Sequence, residues 1–321
     1  MKLRLAAVGL LTMLAVAGCG KKEEQAADQN AAATAPAASN TTATAPAATD
    51  NTANTQAAAA PAAGGDKIGD CELTGKKGET PITPAVAGQL TVETNLPGPG
   101  WYNGDTPESI KDGYEYCFAA NIAHRAGLDN LKVVNVAWDA LVAGQTKDFD
   151  LALSQISITD ERKKVVDFSV PYFSSDIGVL AKKGATIDET SIKKAKIGVQ
   201  QATTGADFVA NTLKPETPAK VFPDTPSMFT ALQAGQVDVA MTDTSIVLAQ
   251  AGQSNGAFAV IGQYSTGETY GALYPKGSAN EDNINKIIKA LEDDGTLKTL
   301  AAKYLAAAWG SDPTSIPYFK P

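Results

Sequence analysis

The chain has 321 residues, with 27 Lys and Arg against 35 Asp and Glu and a formal net charge of −8. No basic block interrupts this mildly acidic balance, which argues against a nucleic-acid partner. A single His and the absence of any Cys-x-x-Cys spacing argue against a metal site, and no cofactor is expected.

Met1, Lys2 and Arg4 form a short basic opening, and residues 5–16 are an apolar run. That run is too short to span a bilayer but suits the hydrophobic part of a signal peptide. It ends in Val16-Ala17-Gly18-Cys19, which resembles the lipobox of bacterial lipoproteins. Residues 1–18 are therefore expected to be cleaved and Cys19 to carry the lipid. Residues 22–65 are rich in Ala, Thr, Pro, Asn and Gln and hold no large apolar side chain. Such a stretch cannot bury enough surface to offset the entropy of ordering. Residues 19–65 thus read as a disordered tether reaching roughly 35 Å root-mean-square; a dispensable spacer is the plainer alternative. The folded part starts near Lys67 and ends at Pro321, long enough for one large domain or two lobes.

Cys71 and Cys117 are the remaining cysteines. In an oxidising compartment an even pair reads as a disulfide; the alternative leaves Cys117 packed on a helix and Cys71 free. Residues 90–94 read as a strand. Residues 114–126 carry Phe118, Ile122 and Ala126 at helical spacing, with Gly127 as the stop. His124 is expected on the solvated face of that helix. A strand over 132–136, a short helix over 138–145 and a strand over 150–156 complete a βαβαβ order, which implies a parallel sheet with helices on both faces. The pattern restarts with a strand at 197–200, a helix over 204–213, a strand at 221–222, a helix over 226–234 and a strand over 237–241. The halves echo each other: Ala140-Leu141-Val142-Ala143-Gly144-Gln145 precedes one strand, and Ala231-Leu232-Gln233-Ala234-Gly235-Gln236 precedes the other. Two such sheets would present strand carboxyl ends at a crevice, where ligands bind in open α/β folds.

The chain also resembles a known family. Asp150, Ile158-Thr159, Glu161-Arg162, Val166-Asp167-Phe168-Ser169 and Pro171-Tyr172 lie in the order found in bacterial extracellular solute-binding proteins of family three. Further matches are Trp138-Asp139-Ala140-Leu141, the stretch 199–205, Thr242-Asp243, Pro275-Lys276-Gly277 and Gly295-Thr296-Leu297. The resemblance covers residues 88–308. It implies a two-lobed α/β periplasmic-binding-protein fold of type II, each lobe an open, mostly parallel sheet flanked by helices. Lobe one would comprise 88–181 and 271–321, lobe two 182–270, with residues 66–87 as an N-terminal extension. Two hinge strands would cross near 178–181 and 270–273. The implied function is capture of a small amino acid by a monomer in the cell envelope and delivery to the permease of an ABC transporter, with the membrane reached only through the lipid.

The resemblance also implies a site. Arg162 would offer its two-pronged guanidinium to the ligand carboxylate, joined by the Ser157 hydroxyl, by Gln155 and by Thr204, which opens a helix whose N–H groups favour an anion. Asp243 would hold the ammonium, and Trp138 would pack on the ligand. Each has a plainer alternative: Arg162 solvated among Asp160, Glu161, Lys163 and Lys164; Asp243 and Thr204 as helix caps; Trp138 as core. Asn95 stands where an acidic residue often follows the first strand, which argues for a neutral ligand. The loop 97–102 would place Trp101 or Tyr102 over the pocket. Two other functions share this fold. A cyclohexadienyl-dehydratase-like enzyme needs a general acid or base in the cleft, and no extra His or carboxylate pair can be nominated. An amino-acid sensor for a separate partner is the other.

Overall fold

The structure, a computed structural model, describes residues 67–321. The signal peptide, the lipid-bearing Cys19 and the tether expected over 19–65 lie outside the described residues. Among the described residues, no helix is long and apolar enough to cross a membrane.

A short antiparallel ribbon comes first, β1 (Lys67–Ile68) with β2 (Cys71–Glu72). Next come β3 (Gln89–Thr94), α1 (Tyr114–Ala126), β4 (Asn130–Asn135), α2 (Trp138–Val142), β5 (Leu151–Ala152), β6 (Asp167–Phe168) and β7 (Phe173–Lys182). Then follow β8 (Ile197–Gln200), α3 (Thr204–Phe208), β9 (Lys220–Phe222), α4 (Thr225–Gln233), β10 (Val239–Asp243) and α5 (Thr244–Gln253). The chain ends through β11 (Phe258–Tyr270), β12 (Leu273–Tyr274), α6 (Glu281–Asp293), α7 (Thr296–Leu300) and α8 (Ala306–Trp309).

The strands form two mixed five-stranded sheets, ordered β4-β3-β5-β12-β6 and β11-β7-β10-β8-β9. Each contains a parallel triple built from its βαβαβ segment: β4, β3, β5 in the first and β9, β8, β10 in the second. The antiparallel strands are additions at the other side of each sheet, supplied by segments that return from elsewhere in the chain. Each sheet buries apolar side chains on both faces. In lobe one, α1 and α6 close one face. α1 is buried along its whole length and stops at Gly127, whose φ of 84° is the left-handed cap that glycine adopts at least cost. α6 buries Ile284, Ile287, Ile288 and Leu291, one helical face by spacing. In lobe two, Asp224 caps α4 by accepting from the Ser227 N–H at 2.7 Å, with Pro226 in the first turn.

Several expectations change here. The strand β5 keeps only two residues of 150–156, because the chain leaves the ladder and turns at Gln155, whose φ is 49°. The helix expected over 204–213 is α only to Phe208 and widens into a π turn at Val209–Leu213. His124 is buried, with Nε2 3.4 Å from the Gly75 carbonyl oxygen, because the N-terminal segment lies over α1. Cys71 and Cys117 form a disulfide that ties this segment to the helix.

The lobe boundaries also shift. β7 joins β10 only from Ile177 to Ala181, while its first residues pair with β11 alone and Phe173 packs on the lobe-one core, so the crossing lies near 173–176 rather than at 178–181. The end of the chain, grouped with lobe one from sequence, runs along the second sheet instead. Gln263 N–H donates to the Pro317 carbonyl at 2.9 Å, and Phe319 N–H donates back to the Gln263 carbonyl at 2.8 Å. Helix α8 lies so close to α5 that a Cβ on Gly252 would sit 2.1 Å from the Ala308 carbonyl oxygen. The chain therefore passes between the lobes three times: into β7, out of β11, and through α8 into the tail.

Candidate functional site

The carboxyl ends of both parallel triples point at the same cleft. It encloses about 610 Å³ of non-protein space, part of it open to solvent. Lobe one contributes Asn95 after β3, the 97–101 loop, Trp138 at the start of α2, and the 154–162 loop after β5. Lobe two contributes Gln200 at the end of β8, Thr203 and Thr204 at the start of α3, Thr225 at the start of α4, Asp243 at the end of β10, and Ile246 and Ala249 on α5. All eight residues expected at the site, Asn95, Trp101, Trp138, Gln155, Ser157, Arg162, Thr204 and Asp243, line this cleft.

Arg162 opens a short 3-10 turn and is 9 % exposed, although Glu161, Lys163 and Lys164 around it are exposed. It faces inward because the cleft supplies its partners. One terminal nitrogen donates to the Ser157 carbonyl at 2.7 Å and the other to the Ala202 carbonyl of lobe two at 3.0 Å. Its guanidinium carbon stands 5.2 Å from the centre of the Trp138 ring. The Trp138 indole N–H also donates to the Ala202 carbonyl, at 3.1 Å. A guanidinium carries five N–H groups, so three remain for a ligand. Burial lowers the pKa of Arg162, while Asp243 and Glu268 act in the opposite direction.

Asp243 immediately precedes α5, yet its side chain makes no capping bond. It accepts instead from the Tyr270 hydroxyl at 2.6 Å. Burial pushes its carboxyl up to about 7, and the negative charge of Glu268 adds to the shift, opposed by the Tyr270 bond and by Arg162. Thr204 is not a cap either: Thr203 performs that role, accepting from the Ala206 N–H at 3.1 Å. Thr204 is the first residue of α3 and lines the cleft beside Thr203.

The Thr204 hydroxyl reaches a residue the sequence reading missed. Glu268, on β11, accepts from Thr204 Oγ1 at 2.8 Å and from Ser157 Oγ at 2.7 Å on the same carboxylate oxygen. The two hydroxyls come from different lobes, so Glu268 joins them at the hinge. Nothing in Ser265-Thr266-Gly267-Glu268 signals this, and its partners lie 111 and 64 residues away.

Gln155 lines the cleft, but its polar hydrogens are committed to a residue behind it. Its N–H donates to Glu115 at 2.9 Å, and its side-chain amide donates to the same carboxylate. Glu115 is fully buried behind the cleft wall and also accepts from the Tyr172 hydroxyl; burial raises its pKa to about 7. Trp101 is 1 % exposed and packs edge-on against Tyr114 and Phe173, with centroids 5.2 and 5.1 Å away. It forms the floor rather than a lid. Tyr102 sits behind it, donating to the Leu153 carbonyl at 2.9 Å. Asn95 donates its amide to the Val136 carbonyl at 2.8 Å, which fixes its plane at the cleft wall.

The cleft thus presents one buried cation and one buried anion, with uncharged side chains elsewhere on its lining. That arrangement complements a zwitterionic head group and leaves its substituent in a neutral environment. Among the described residues no cluster of His, Cys, Asp and Glu could hold a metal ion.

Comparison with known proteins gives a consistent picture. The family model of bacterial extracellular solute-binding proteins, family 3, matches residues 99–307. The L-cystine-binding protein TcyJ of Escherichia coli (strain K12) is 32 % identical over 206 residues, 61 % of this chain and 74 % of that protein. The ABC transporter glutamine-binding protein GlnH of Bacillus subtilis is 33 % identical over 164 residues, 50 % of this chain and 59 % of that protein. Among solved structures, an ancestral arginine-binding protein bound to glutamine superposes with a TM-score of 0.62 at 29 % identity, covering 68 % of this chain and 98 % of that one.

Proposed function

The chain belongs to the bacterial extracellular solute-binding proteins, family 3, and on that premise we propose that it captures a neutral α-amino acid between its lobes for an ABC importer. The observation that carries this reading is the pairing of buried Arg162 and Asp243 in a cleft whose other lining side chains are uncharged. Arg162 takes the ligand carboxylate with its free N–H groups, and Asp243 takes the ammonium. An arginine or lysine side chain would need a second buried carboxylate at the far end, and a glutamate side chain a second cation; Asn95, Gln200 and Thr225 stand there instead. Relatives are named for cystine and glutamine and others for arginine, so the neutral reading rests on the lining of this cleft.

A thermal-shift screen of the twenty amino acids and cystine on the full chain tests this. A ligand present at about 100 times its Kd adds about 2.7 kcal/mol of stability, equivalent to a rise of roughly 5–10 °C for a domain of this size. Neutral amino acids are expected to give that rise; a response confined to arginine and lysine, or to none, contradicts the reading.

The sequence at Val16-Ala17-Gly18-Cys19 supports export as a lipid-anchored protein in the cell envelope. Cys19→Ala is expected to move the protein from the membrane fraction or leave its precursor unprocessed. Unchanged membrane retention with normal processing would remove this part of the proposal.

A further inference from the structure

The cleft does not stop at its uncharged end. Pro97, Pro99, Thr225 and Ile246 line it, and the same four residues line a second groove that continues outward between the lobes. This groove runs between α4 and α5. Phe229 and Phe258 are buried along it, and Gln250 and Gln253 of α5 border it. No charged side chain lines it among the described residues.

We infer that this groove is a subsite for the distal part of the ligand, and that the preferred ligand class is α-amino acids with a long uncharged side chain. The inference rests on the amino-acid reading of the Arg162 and Asp243 clamp. That clamp fixes the head group at one end of the cleft, so the side chain runs toward Asn95 and Thr225. A side chain as short as that of alanine ends before the neck formed by the two prolines, Thr225 and Ile246. A longer one passes through it and covers the phenyl rings beyond. The groove lacks a counter-charge for a charged terminus, whereas glutamine side chains at its border can hydrogen-bond a neutral polar end. Alkyl, thioether, disulfide or amide-bearing side chains fit both requirements.

The test is calorimetric titration of the full chain with L-alanine, L-norleucine and L-2-aminooctanoate, which share one head group and differ in reach. Each methylene that enters an apolar subsite contributes about fourfold in affinity. L-2-Aminooctanoate is expected to bind at least about tenfold tighter than alanine. Gln250→Trp and Thr230→Trp fill the groove from two different helices, and each is expected to collapse that ratio to within about threefold. Both sites are at the helix surface, so a folding defect in one leaves the other as the test. Equal affinity across the series, tightest binding by alanine, or a ratio unmoved by both substitutions overturns the subsite and leaves the clamp standing. Failure of these three and of all twenty common amino acids to bind overturns the clamp and the subsite together.

Discussion

At the residue scale the site turns on two buried charges, Arg162 and Asp243, and on the half-buried Glu268 beside them. Burial, helped by the neighbouring charge of Glu268, raises the Asp243 carboxyl to about 7 against the pull of Arg162. A ligand ammonium favours the ionised carboxylate, so binding near neutral pH expels a proton. The sign follows: affinity rises with pH up to about 7 and then levels, gaining about tenfold between pH 6 and pH 8. The groups that face Asp243 are Glu268 and Tyr270 of β11 and Arg162 of the opposite lobe. Glu268 raises the Asp243 pKa by charge repulsion, so Glu268→Gln, which keeps an acceptor for Ser157 and Thr204, is expected to move the midpoint of the pH profile downward. Calorimetry across pH measures this; a flat profile in the wild-type protein, or an unmoved midpoint in Glu268→Gln, contradicts the electrostatic account. Glu115, whose pKa also lies near 7, acts through Gln155, so its titration would remain in an Asp243→Asn variant and can be separated there.

At the element scale, the sequence was readable where periodicity decides structure. Strand β8 was legible to the residue at Ile197–Gln200, and helix α1 and its Gly127 stop were legible because burial and capping act locally. Strand β11 was not: a 13-residue strand containing Gly262, Ser265, Thr266 and Gly267 has no alternation to read, and pairing with β7 holds it, through two register shifts. The placement of Arg162, Ser157 and Asp243 at the cleft was legible through motif resemblance, whereas that of Glu268 depends on two long-range contacts that no local pattern encodes. The disulfide joins β2 to α1 across 46 residues. Closing a loop of that length constrains the unfolded chain by about 4 kcal/mol. Reduction is therefore expected to lower the melting temperature by roughly 10 °C, with the loss falling on lobe one, whose core holds both cysteines. Melting curves with and without reductant check this, and coincident curves would show that the crosslink adds nothing to stability.

At the scale of the whole molecule, the lobes meet through polar contacts around the cleft and through three chain passages beside it. Ala202 of lobe two accepts from Arg162 and Trp138 of lobe one, and Glu268 gathers a hydroxyl from each lobe. A ligand held by Arg162 on one side and Asp243 on the other would draw the lobes together by the same logic, since closure completes its coordination. The tail adds a restraint: Phe319 packs edge-on over Tyr264 at 5.9 Å, so closure must occur with the end of the chain fixed to lobe two. The account's central claim is that Arg162 holds the ligand carboxylate in the cleft between the lobes. Its most direct test is the calorimetric Kd of Arg162→Ala, on folded protein, for the ligand found by the screen. Leaving a buried charge without its partner costs on the order of 3–5 kcal/mol, so a micromolar ligand is predicted to fall to roughly millimolar affinity. Arg162→Lys is also expected to bind weakly, because an ammonium cannot reproduce the two-pronged contact. A Kd for Arg162→Ala within a few-fold of wild type would place the carboxylate elsewhere and contradict the account.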